Sequence, residues 1–294
     1  MARGMVAHAR RGMVRVPELP EVETIRRDLC DAIVGKQVSD VVVHRMRSVR
    51  SGANGETMGA RLRGSRVVAV SRRGKYLLIS VDVGDVLVVH LGMSGQLQWV
   101  GAEGGPVERH THVVVSFDSG DEMRFVDPRT FGEVFIATGK SQDGVPDELS
   151  HLGFDALCDP ISEDALLQML AERRGALKAL LMNQRFVSGI GNIYSDEMLF
   201  AARLRFDRSA CSLRPAEGRR LRAAMTRTLE MAIEHRGSSL KDSSYRDLYG
   251  RRGSFQDHHQ VYGREGLECR NCGSSIRRLR VQGRSTFMCE RCQR

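Results

Sequence analysis

Four cysteines near the C-terminus constrain the fold of this chain more than any other feature of its sequence. They form two pairs, Cys269-x2-Cys272 and Cys289-x2-Cys292, separated by sixteen residues. Two closely spaced thiolate pairs supply four soft ligands in the tetrahedral geometry that structural zinc prefers. Redox-active Cys-x2-Cys pairs are the alternative, but two such pairs in one small polar segment favour a zinc ribbon. Because protein ligands fill every position, one zinc ion is expected to stabilise structure and take no part in chemistry.

The net charge of +9 on 294 residues predicts a polyanionic partner. Nucleic acid is the leading candidate, and an anionic membrane surface is the alternative. Nine basic residues and one acid lie between Arg45 and Lys75 among strand-like runs, so we expect many of these side chains to share one face of a sheet. The zinc segment from Gly263 onward also stays basic once ligand and metal charges are added, which is typical of nucleic-acid-binding modules. No apolar run approaches the roughly 18 residues of a membrane span, so no membrane partner is expected.

The pattern of apolar residues changes from strand-like to helix-like midway along the chain. Apolar positions at helical spacing predict an amphipathic helix over Glu21–Val34. Seven β-branched runs between Gln37 and Ala137 predict a β-sandwich or barrel. Beyond a Gly-, Ser- and Asp-containing boundary, Ser162 is the predicted N-cap of one helix, and Pro215 begins a long helix that ends near Gly237. The predicted fold is therefore α+β and multidomain.

Several motifs resemble those of the formamidopyrimidine-DNA glycosylases, in the same order and across nearly the whole chain. They are PELPEVET from Pro17, RRGKYLL (72–78), VVHLGMSG (88–95), DPRTFG (127–132), SGIGNIYSDE (188–197), VYGREG (261–266) and the terminal GRSTFMCERC. The resemblance implies a catalytic β-sandwich at 17–140, a DNA-binding helix-two-turns-helix domain at 150–260 and a zinc ribbon at 261–294. Residues 1–16 then form an extension that is absent from the mature protein.

The same resemblance implies a bifunctional enzyme of base excision repair. It would excise oxidised purines, 8-oxoguanine and formamidopyrimidines, from double-stranded DNA and then cut the strand by β,δ-elimination. A bacterial, cytoplasmic, nucleoid-associated monomer is expected.

The resemblance also assigns the catalytic residues. Pro17, as the N-terminal residue, attacks the sugar C1′ to form a Schiff base, and Glu18 is the general acid/base at the sugar. An α-amine titrates near 7.7 to 8.0, so a useful fraction is neutral at physiological pH. Lys75 matches a lysine of proton transfer and phosphate contact, and Arg284, which hardly deprotonates, is interpreted as a phosphate clamp. Without the flanking motif, Pro17 and Glu18 would be an ordinary helix start.

DNA contacts are implied in the same way. A lesion must leave the helix before its C1′ can be reached, and this leaves a gap in the stack. Met93, Arg129 and Phe131 match the residues that fill this gap, although the spacing alone fits a core Met and Phe equally well. The glycines before Asn192 open a helix whose N–H groups are expected to approach a phosphate. The remaining expected DNA contacts are His90, His110, Arg173, Lys178 and Asn192.

The start of the chain departs from the family pattern. Sixteen residues precede Pro17, and its nitrogen is then a tertiary amide that lacks a nucleophilic lone pair. Three explanations compete: translation that begins at position 16, a leader that is cleaved, or a retained extension on a non-catalytic damage-binding protein. We favour the first. Among enzymes the rival is the endonuclease VIII group, which removes oxidised pyrimidines, but PELPEVE and the Arg129/Phe131 pair favour the purine-specific branch.

Overall fold

The computed structural model describes residues 16–45, 55–139, 144–159, 161–240 and 245–294. The predicted extension ahead of Val16 lies outside the described residues, as do Arg47 and Arg50 of the basic segment. The described residues form a sheet unit, a helical unit and a C-terminal hairpin. The predicted α+β, multidomain fold is confirmed.

Two four-stranded antiparallel sheets form the N-terminal unit, as the spacing of the strand-like runs predicted. The elements are α1 (Leu19–Ile33), β1 (Val38–Val43), α2 (Gly55–Leu62), β2 (Val67–Arg73), β3 (Tyr76–Val81), β4 (Val86–His90), β5 (Gln96–Val100), β6 (Thr111–Phe117), β7 (Glu122–Val126) and β8 (Glu133–Ile136). One sheet has the order β1-β6-β7-β5, and the other has the order β2-β3-β4-β8. Leu77 and Ile79 of β3 pack between the sheets, while Leu78 packs on the opposite face against Leu149. The second sheet is therefore buried on both faces at β3.

Helix α1 begins two residues before the predicted start and presents the predicted apolar face. Val22, Ile25, Leu29 and Ile33 are fully buried and belong to the core between the sheets. The N–H of Glu18 donates to the Glu21 carboxylate at 2.9 Å, which closes the first turn. The predicted amphipathic helix is thus confirmed, and its N-terminus is fixed by two glutamates.

The sequence analysis did not predict two elements of the sheet unit, α2 and β5. Helix α2 has only Met58 and Leu62 as buried apolar side chains, too few for a visible helical period. Strand β5, QLQWV, carries two glutamines and only one fully buried residue, Leu97. Both are specified by pairing and packing with distant segments: β5 pairs with β7, and α2 packs on β1.

The prediction of one basic sheet face across Arg45–Lys75 was wrong. Arg61 and Arg63 belong to helix α2 and the turn after it, and both form ion pairs with acids. Arg72 is fully buried and pairs with Asp155 of the helical unit. Among the described residues of this segment, much of the positive charge is therefore paired with acids of the protein.

The central unit is helical. Ser162 caps the first helix as predicted, since its hydroxyl accepts from the N–H of Ala165 at 3.1 Å. The long helix begins at Pro215, also as predicted. The elements are β9 (Phe154–Asp155), α3 (Glu163–Ala171), α4 (Leu177–Leu181), β10 (Val187–Ser188), α5 (Asn192–Ala201) and α6 (Pro215–Glu234), with short 3-10 turns at Asp147–Leu149, Ala210–Ser212 and Phe255–His258. No helix in the described ranges is long and apolar enough to cross a membrane.

The C-terminal hairpin joins β11 (Arg277–Val281) to β12 (Arg284–Met288). Gln282 and Gly283 form its two-residue turn, both at positive φ (47° and 79°), the backbone twist that two-residue hairpins favour. Phe287 and Met288 of β12 belong to the same hydrophobic core as α5 and α6. The hairpin is therefore packed firmly on the helical unit, and Arg284 lies at its tip.

The start of helix α6 gives a prediction about pH. Both guanidinium nitrogens of Arg208 donate to Glu217, at 2.9 and 2.8 Å, and the N–H of Arg214 adds a third bond. Mainly through Arg208, the pKa of Glu217 falls from 4.5 to about 2. A lowered carboxyl pKa contributes stability above the unfolded pKa, and this is lost as pH falls through the folded pKa.

Glu217→Gln is therefore expected to lower the free energy of unfolding by about 2 kcal/mol at pH 7. The difference should shrink as pH falls from about 5 to 2, in urea unfolding measured across that range. Glu230→Gln, at an exposed position of the same helix, is the matched control and should change little at any pH. A Glu217→Gln effect that is the same at pH 7 and pH 2 would contradict the assignment.

Candidate active site

A cavity of about 380 Å³ lies where the three units meet. Glu18 enters it from the start of α1 and Lys75 from the turn between β2 and β3. Asn192 reaches it from α5, and Arg284 from the hairpin tip. Pro17 is buried and directly precedes Glu18. All four residues predicted to be catalytic are thus gathered at or next to one cavity, although they come from three separate parts of the chain.

Glu18 is held by the first turn of helix α5. Its carboxylate accepts from the N–H groups of Gly191 at 2.7 Å, Ile193 at 2.9 Å and Tyr194 at 3.4 Å. A carboxylate at a helix N-terminus satisfies free N–H donors and interacts favourably with the helix dipole. Three of the N–H groups that were expected to approach a phosphate are therefore bonded to the protein's own carboxylate.

Glu21 is a site residue that the sequence analysis missed. It lies behind Glu18 and accepts from the N–H of Glu18, the hydroxyl of Tyr194 at 2.5 Å and the N–H of Ser238 at 2.7 Å. Burial, together with the negative charge of Glu18, raises the pKa of Glu21 to about 7. The available signal was the spacing of Glu18 and Glu21, one helical turn apart, which the sequence analysis did not use.

Lys75 supplies positive charge at the cavity. Burial lowers the pKa of its ammonium group, with Glu18 and Glu21 opposing this shift and Arg284 adding to it. Lys75 also affects His90, whose pKa falls to about 4 through burial and the nearby ammonium charge. A lysine with a lowered pKa is better able to exchange a proton near neutral pH than an exposed lysine.

Lys178 is not placed as predicted. It was expected to contact DNA, but it is 4% exposed, and its ammonium group donates to the carbonyl of Ser285 and the hydroxyl of Thr286. It also pairs with Asp196 of α5 at 2.7 Å, and Asp196 in turn accepts from the N–H of Phe287. In this structure Lys178 thus anchors strand β12, which begins with Arg284, and does not face solvent.

Asn192 shares this anchoring role at the cavity wall. Its amide nitrogen donates to the carbonyl of Ser285 at 3.0 Å. Its amide oxygen is buried and, among the described residues, has no hydrogen-bond partner. A buried acceptor that lacks a donor is suited to a ligand group that supplies one.

Met93, Arg129 and Phe131 lie on two interlocked loops. The Arg129 guanidinium stacks over the Phe131 ring at 5.0 Å, and Phe131 is 54% exposed. Gly92 fixes the approach of the loops, because a Cβ there would lie 2.4 Å from the backbone of Phe131. Phe131 therefore does not belong to the core, which was the alternative that its spacing allowed.

A buried carboxylate missed by the sequence analysis orders these loops. Asp127 is fully buried and accepts from the hydroxyl of Ser94 and from the N–H groups of Arg129 and Gly132. The sequence analysis used the motif DPRTFG, which contains Asp127, only to assign the exposed Arg129 and Phe131. Asp127 links the two loops and holds Arg129 and Phe131 in one arrangement.

The remaining residues that were predicted to contact DNA differ in their exposure to solvent. His90 is half-buried and its ring stacks on Tyr76 with centroids 4.5 Å apart. His110 is also half-buried, before β6, and Arg173 is exposed beyond the end of α3. Tyr245 and Leu248, which follow the helical unit, pack against the core of the sheet unit.

The four cysteines converge as their spacing predicted. Their sulfur atoms all lie within 4.8 Å of one another, and the Sγ atoms of Cys269 and Cys292 are 3.8 Å apart. Zn–S bonds of about 2.3 Å in tetrahedral geometry require sulfurs about 3.8 Å apart. The residues therefore fit one structural zinc ion, which leaves no open coordination position.

The comparisons with known proteins identify the family. Residues 16–134 match the formamidopyrimidine-DNA glycosylase N-terminal domain, 152–244 its H2TH domain, and 266–294 the zinc finger found in FPG and IleRS. The formamidopyrimidine-DNA glycosylase of Symbiobacterium thermophilum is 42% identical over 95% of this chain and 89% of its own length. The chain belongs to the formamidopyrimidine-DNA glycosylase family. It is a DNA glycosylase of base excision repair with abasic-site lyase activity, and its zinc finger holds one structural zinc ion.

Solved structures agree with this assignment. The MutM (Fpg) protein of Thermus thermophilus superimposes on this glycosylase with a TM-score of 0.82 and 40% identity, covering 94% of this chain and 98% of that one. The Lactococcus lactis Fpg, in a complex with DNA that contains N7-benzyl-Fapy-dG, gives a TM-score of 0.82 at 30% identity. It covers 94% of this chain and 99% of that one.

The zinc site gives a prediction about both stability and activity. Cys289→Ser should release the zinc, lower the melting temperature and abolish strand cleavage, because Cys289 follows directly on β12, whose first residue is Arg284. Metal content, thermal unfolding and cleavage of lesion-containing duplex would be measured together. Cys211→Ser, which removes an exposed thiol outside the cluster, is the control and should keep all three properties. Full zinc and activity in Cys289→Ser would refute a four-cysteine site.

The close approach of Glu18 to α5 gives a second prediction. A Cβ at position 191 would lie 2.4 Å from Cδ of Glu18, so Gly191→Ala must displace that carboxylate. Base excision is expected to slow by about 10- to 100-fold. Gly175→Ala is the matched control, because a Cβ there meets no atom within 4 Å. Equal single-turnover rates for the two variants would show that the position of Glu18 does not matter.

Proposed function

We propose that this glycosylase excises oxidised purines through the secondary amine of Pro17 at the N-terminus of the active chain. The observation that carries the proposal is the position of Pro17: it is buried, and the residues on either side of it line the cavity together with Lys75 and Arg284. A secondary amine condenses with a C1′ carbon to give an iminium without first losing a second proton. An α-amine also titrates near 7.7 to 8.0, so it is partly neutral at physiological pH.

The proposed reaction balances at each step. The Pro17 nitrogen bonds to C1′, the bond from C1′ to the base breaks, and the base leaves with a proton. Glu18 exchanges a proton with the sugar oxygen as the ring opens to the iminium. Lys75 transfers the C2′ proton during β-elimination, in which the C3′–O bond breaks and its electron pair leaves with the phosphate. Arg284 binds the phosphate that leaves in the second, δ-elimination.

The proposal requires a chain whose first residue is Pro17. The family model begins to match at residue 16, one position earlier. Translation that starts at that position, followed by removal of the initiator methionine, would leave Pro17 with a free amine. If residues 1–16 remain attached, the nitrogen is an amide, and the alternative is a damage-binding protein without glycosylase chemistry.

We propose that Met93, Arg129 and Phe131 fill the gap left by the extruded lesion. Exposure of an aromatic ring on an ordered loop supports this, since such side chains insert between base steps. The DNA backbone would be held by the further contacts His90, His110, Arg173 and Asn192, while Lys178 would act indirectly by anchoring β12.

We place the domain limits at 17–140, 150–260 and 261–294. We also propose that the enzyme acts as a monomer at the bacterial nucleoid, in keeping with a net charge of +9.

Reductive trapping tests the nucleophile. The complete chain and a chain that begins at Pro17 would each be mixed with 8-oxoguanine duplex and borohydride, which reduces an iminium to a permanent crosslink. Only the chain with a free Pro17 is expected to crosslink and to cut the strand. A third form with one alanine ahead of Pro17 is the matched control, because it moves the amine by one residue, and it should not crosslink.

Three outcomes would change the proposal. Equal crosslinking by all forms would mean that another amine is the nucleophile. Lesion binding without crosslinking by any form would support the damage-binding alternative. Faster trapping on an oxidised pyrimidine such as thymine glycol than on 8-oxoguanine would show that the enzyme prefers oxidised pyrimidines, as the endonuclease VIII group does.

A further inference from the structure

The turn that carries Lys75 is held by a residue from another unit. Asp155 lies in β9, at the entrance to the helical unit, and is fully buried. Its Oδ2 accepts from the N–H of Gly74 at 2.7 Å and from the Arg72 guanidinium at 2.6 Å. Asp155 therefore bonds directly to the main chain of the residue that precedes Lys75.

The other oxygen of this carboxylate is equally occupied. It accepts from a second nitrogen of Arg72 at 3.1 Å and from the N–H groups of Leu157 and Cys158, each at 3.0 Å. Five donors thus converge on Asp155. Burial favours its neutral form, but the hydrogen bonds and charge of Arg72 outweigh this and lower the pKa of the carboxyl.

Arg72 closes the arrangement around the turn. The same guanidinium nitrogen that bonds Asp155 also donates to the carbonyl of Gly74 at 2.8 Å, and another nitrogen reaches Glu23 of α1 at 3.3 Å. Both the N–H and the C=O of Gly74 are therefore fixed by the buried Arg72–Asp155 pair. The peptide groups on either side of this glycine have no freedom to rotate while the pair is intact.

Packing confines the turn from its other side. Gly74 adopts φ of +57°, and a Cβ there would lie 2.9 Å from Cβ of Ser188. Ser188 belongs to β10, which pairs with β9 at Asp155 and leads through Gly189 and Gly191 into α5. The Lys75 turn is therefore confined by β10 as well as by Asp155.

We infer that Asp155 is a positioning residue for the lyase step, which holds Lys75 where its amine meets the sugar of the bound lesion. This rests on the proposed role of Lys75 in β-elimination. In that step the C2′ proton passes to the lysine, the C2′–H electron pair forms a C2′=C3′ bond, and the C3′–O electron pair leaves with the phosphate. Pro17 and Glu18 would still form the iminium if Asp155 were altered, because α5 holds Glu18 independently.

Asp155→Asn separates the two steps. The variant keeps the shape of the side chain but replaces one acceptor oxygen with a donor that faces N–H groups or Arg72. On duplex with a preformed abasic site, single-turnover cleavage should slow by about 10- to 100-fold, a size typical of a misplaced catalytic group. The borohydride crosslink should form as fast as in the unaltered protein, so the iminium accumulates uncut. The assay uses whichever form of the chain, complete or beginning at Pro17, is active in the trapping experiment.

Asp159→Asn is the matched control. Asp159 accepts from Arg73 at the end of β2 and from the N–H of Asp155 at 2.7 Å, but it is partly exposed and does not bond to Gly74. The asparagine keeps an oxygen that can accept from the Asp155 N–H, so cleavage and crosslinking should both stay unchanged. A Lys75→Gln background provides the second test, because a residue that acts through Lys75 should have no further effect on cleavage once that lysine is absent.

The outcomes are distinguishable. Equal slowing of crosslinking and cleavage by Asp155→Asn, or an additive loss in the Lys75→Gln background, would show a merely structural role and overturn the inference. If Asp155→Asn does not fold, as judged by zinc content and thermal unfolding, Asp155→Glu carries the test: it keeps the charge and shifts the oxygens. Slow cleavage with normal crosslinking is then expected, and unchanged cleavage overturns the inference. If the unaltered protein forms no crosslink in either form, the proposed function itself has failed.

Discussion

The bond between the Glu18 carboxylate and the start of helix α5 is the interaction on which the site depends. It ties the first described residues of the chain to a helix that lies more than 170 positions later. The same helix then holds two further parts of the molecule: Asp196 binds β12 of the hairpin, and Glu197 accepts from three consecutive N–H groups at 260–262. One ten-residue helix therefore sets the positions of Glu18 next to Pro17, the proposed nucleophile, of the hairpin arginine and of the segment that leads to the zinc ribbon.

Buried carboxylates are the means by which this arrangement is fixed. Burying an ionised carboxylate is unfavourable unless donors replace the lost water. Glu18 and Glu197 each receive three N–H groups, and Asp155 receives five donors in total. At three of these carboxyls burial outweighs the donors: it raises the pKa of Glu21 and Asp196 to about 7 and also raises that of Glu197. Buried titratable groups with shifted pKa values cluster at functional sites, where the arrangement of charge serves function even though burying the charge lowers stability.

The sequence predicted the parts of this structure whose signals are local. The buried face of α1, the Ser162 cap and the four-cysteine cluster follow from spacings within a few residues or within one hairpin, and all three were found. The predictions failed for charged residues whose ion-pair partners are distant in the sequence. Arg72 was counted among the residues of a basic sheet face, and Lys178 was assigned to DNA from the resemblance, yet Arg72 pairs with an acid in another unit and Lys178 with an acid in another helix. The catalytic assignments came from the family motifs, because a Pro-Glu helix start carries no chemical signal of its own.

The residues of the site lie in two environments, some held by buried anchors and others exposed on an ordered loop. The environment of each residue matches its assigned role. Groups assigned to chemistry, such as Glu18 and Lys75, are attached to buried anchors, so little conformational entropy remains to be lost when the substrate arrives. Phe131, which is assigned to the gap in the DNA, is exposed and so loses hydrophobic stabilisation in the free protein. Its loop is nevertheless ordered by the buried Asp127, and that ordering is completed during folding. Inserting the ring into DNA then recovers apolar contact without a further ordering cost, which favours extrusion of the lesion.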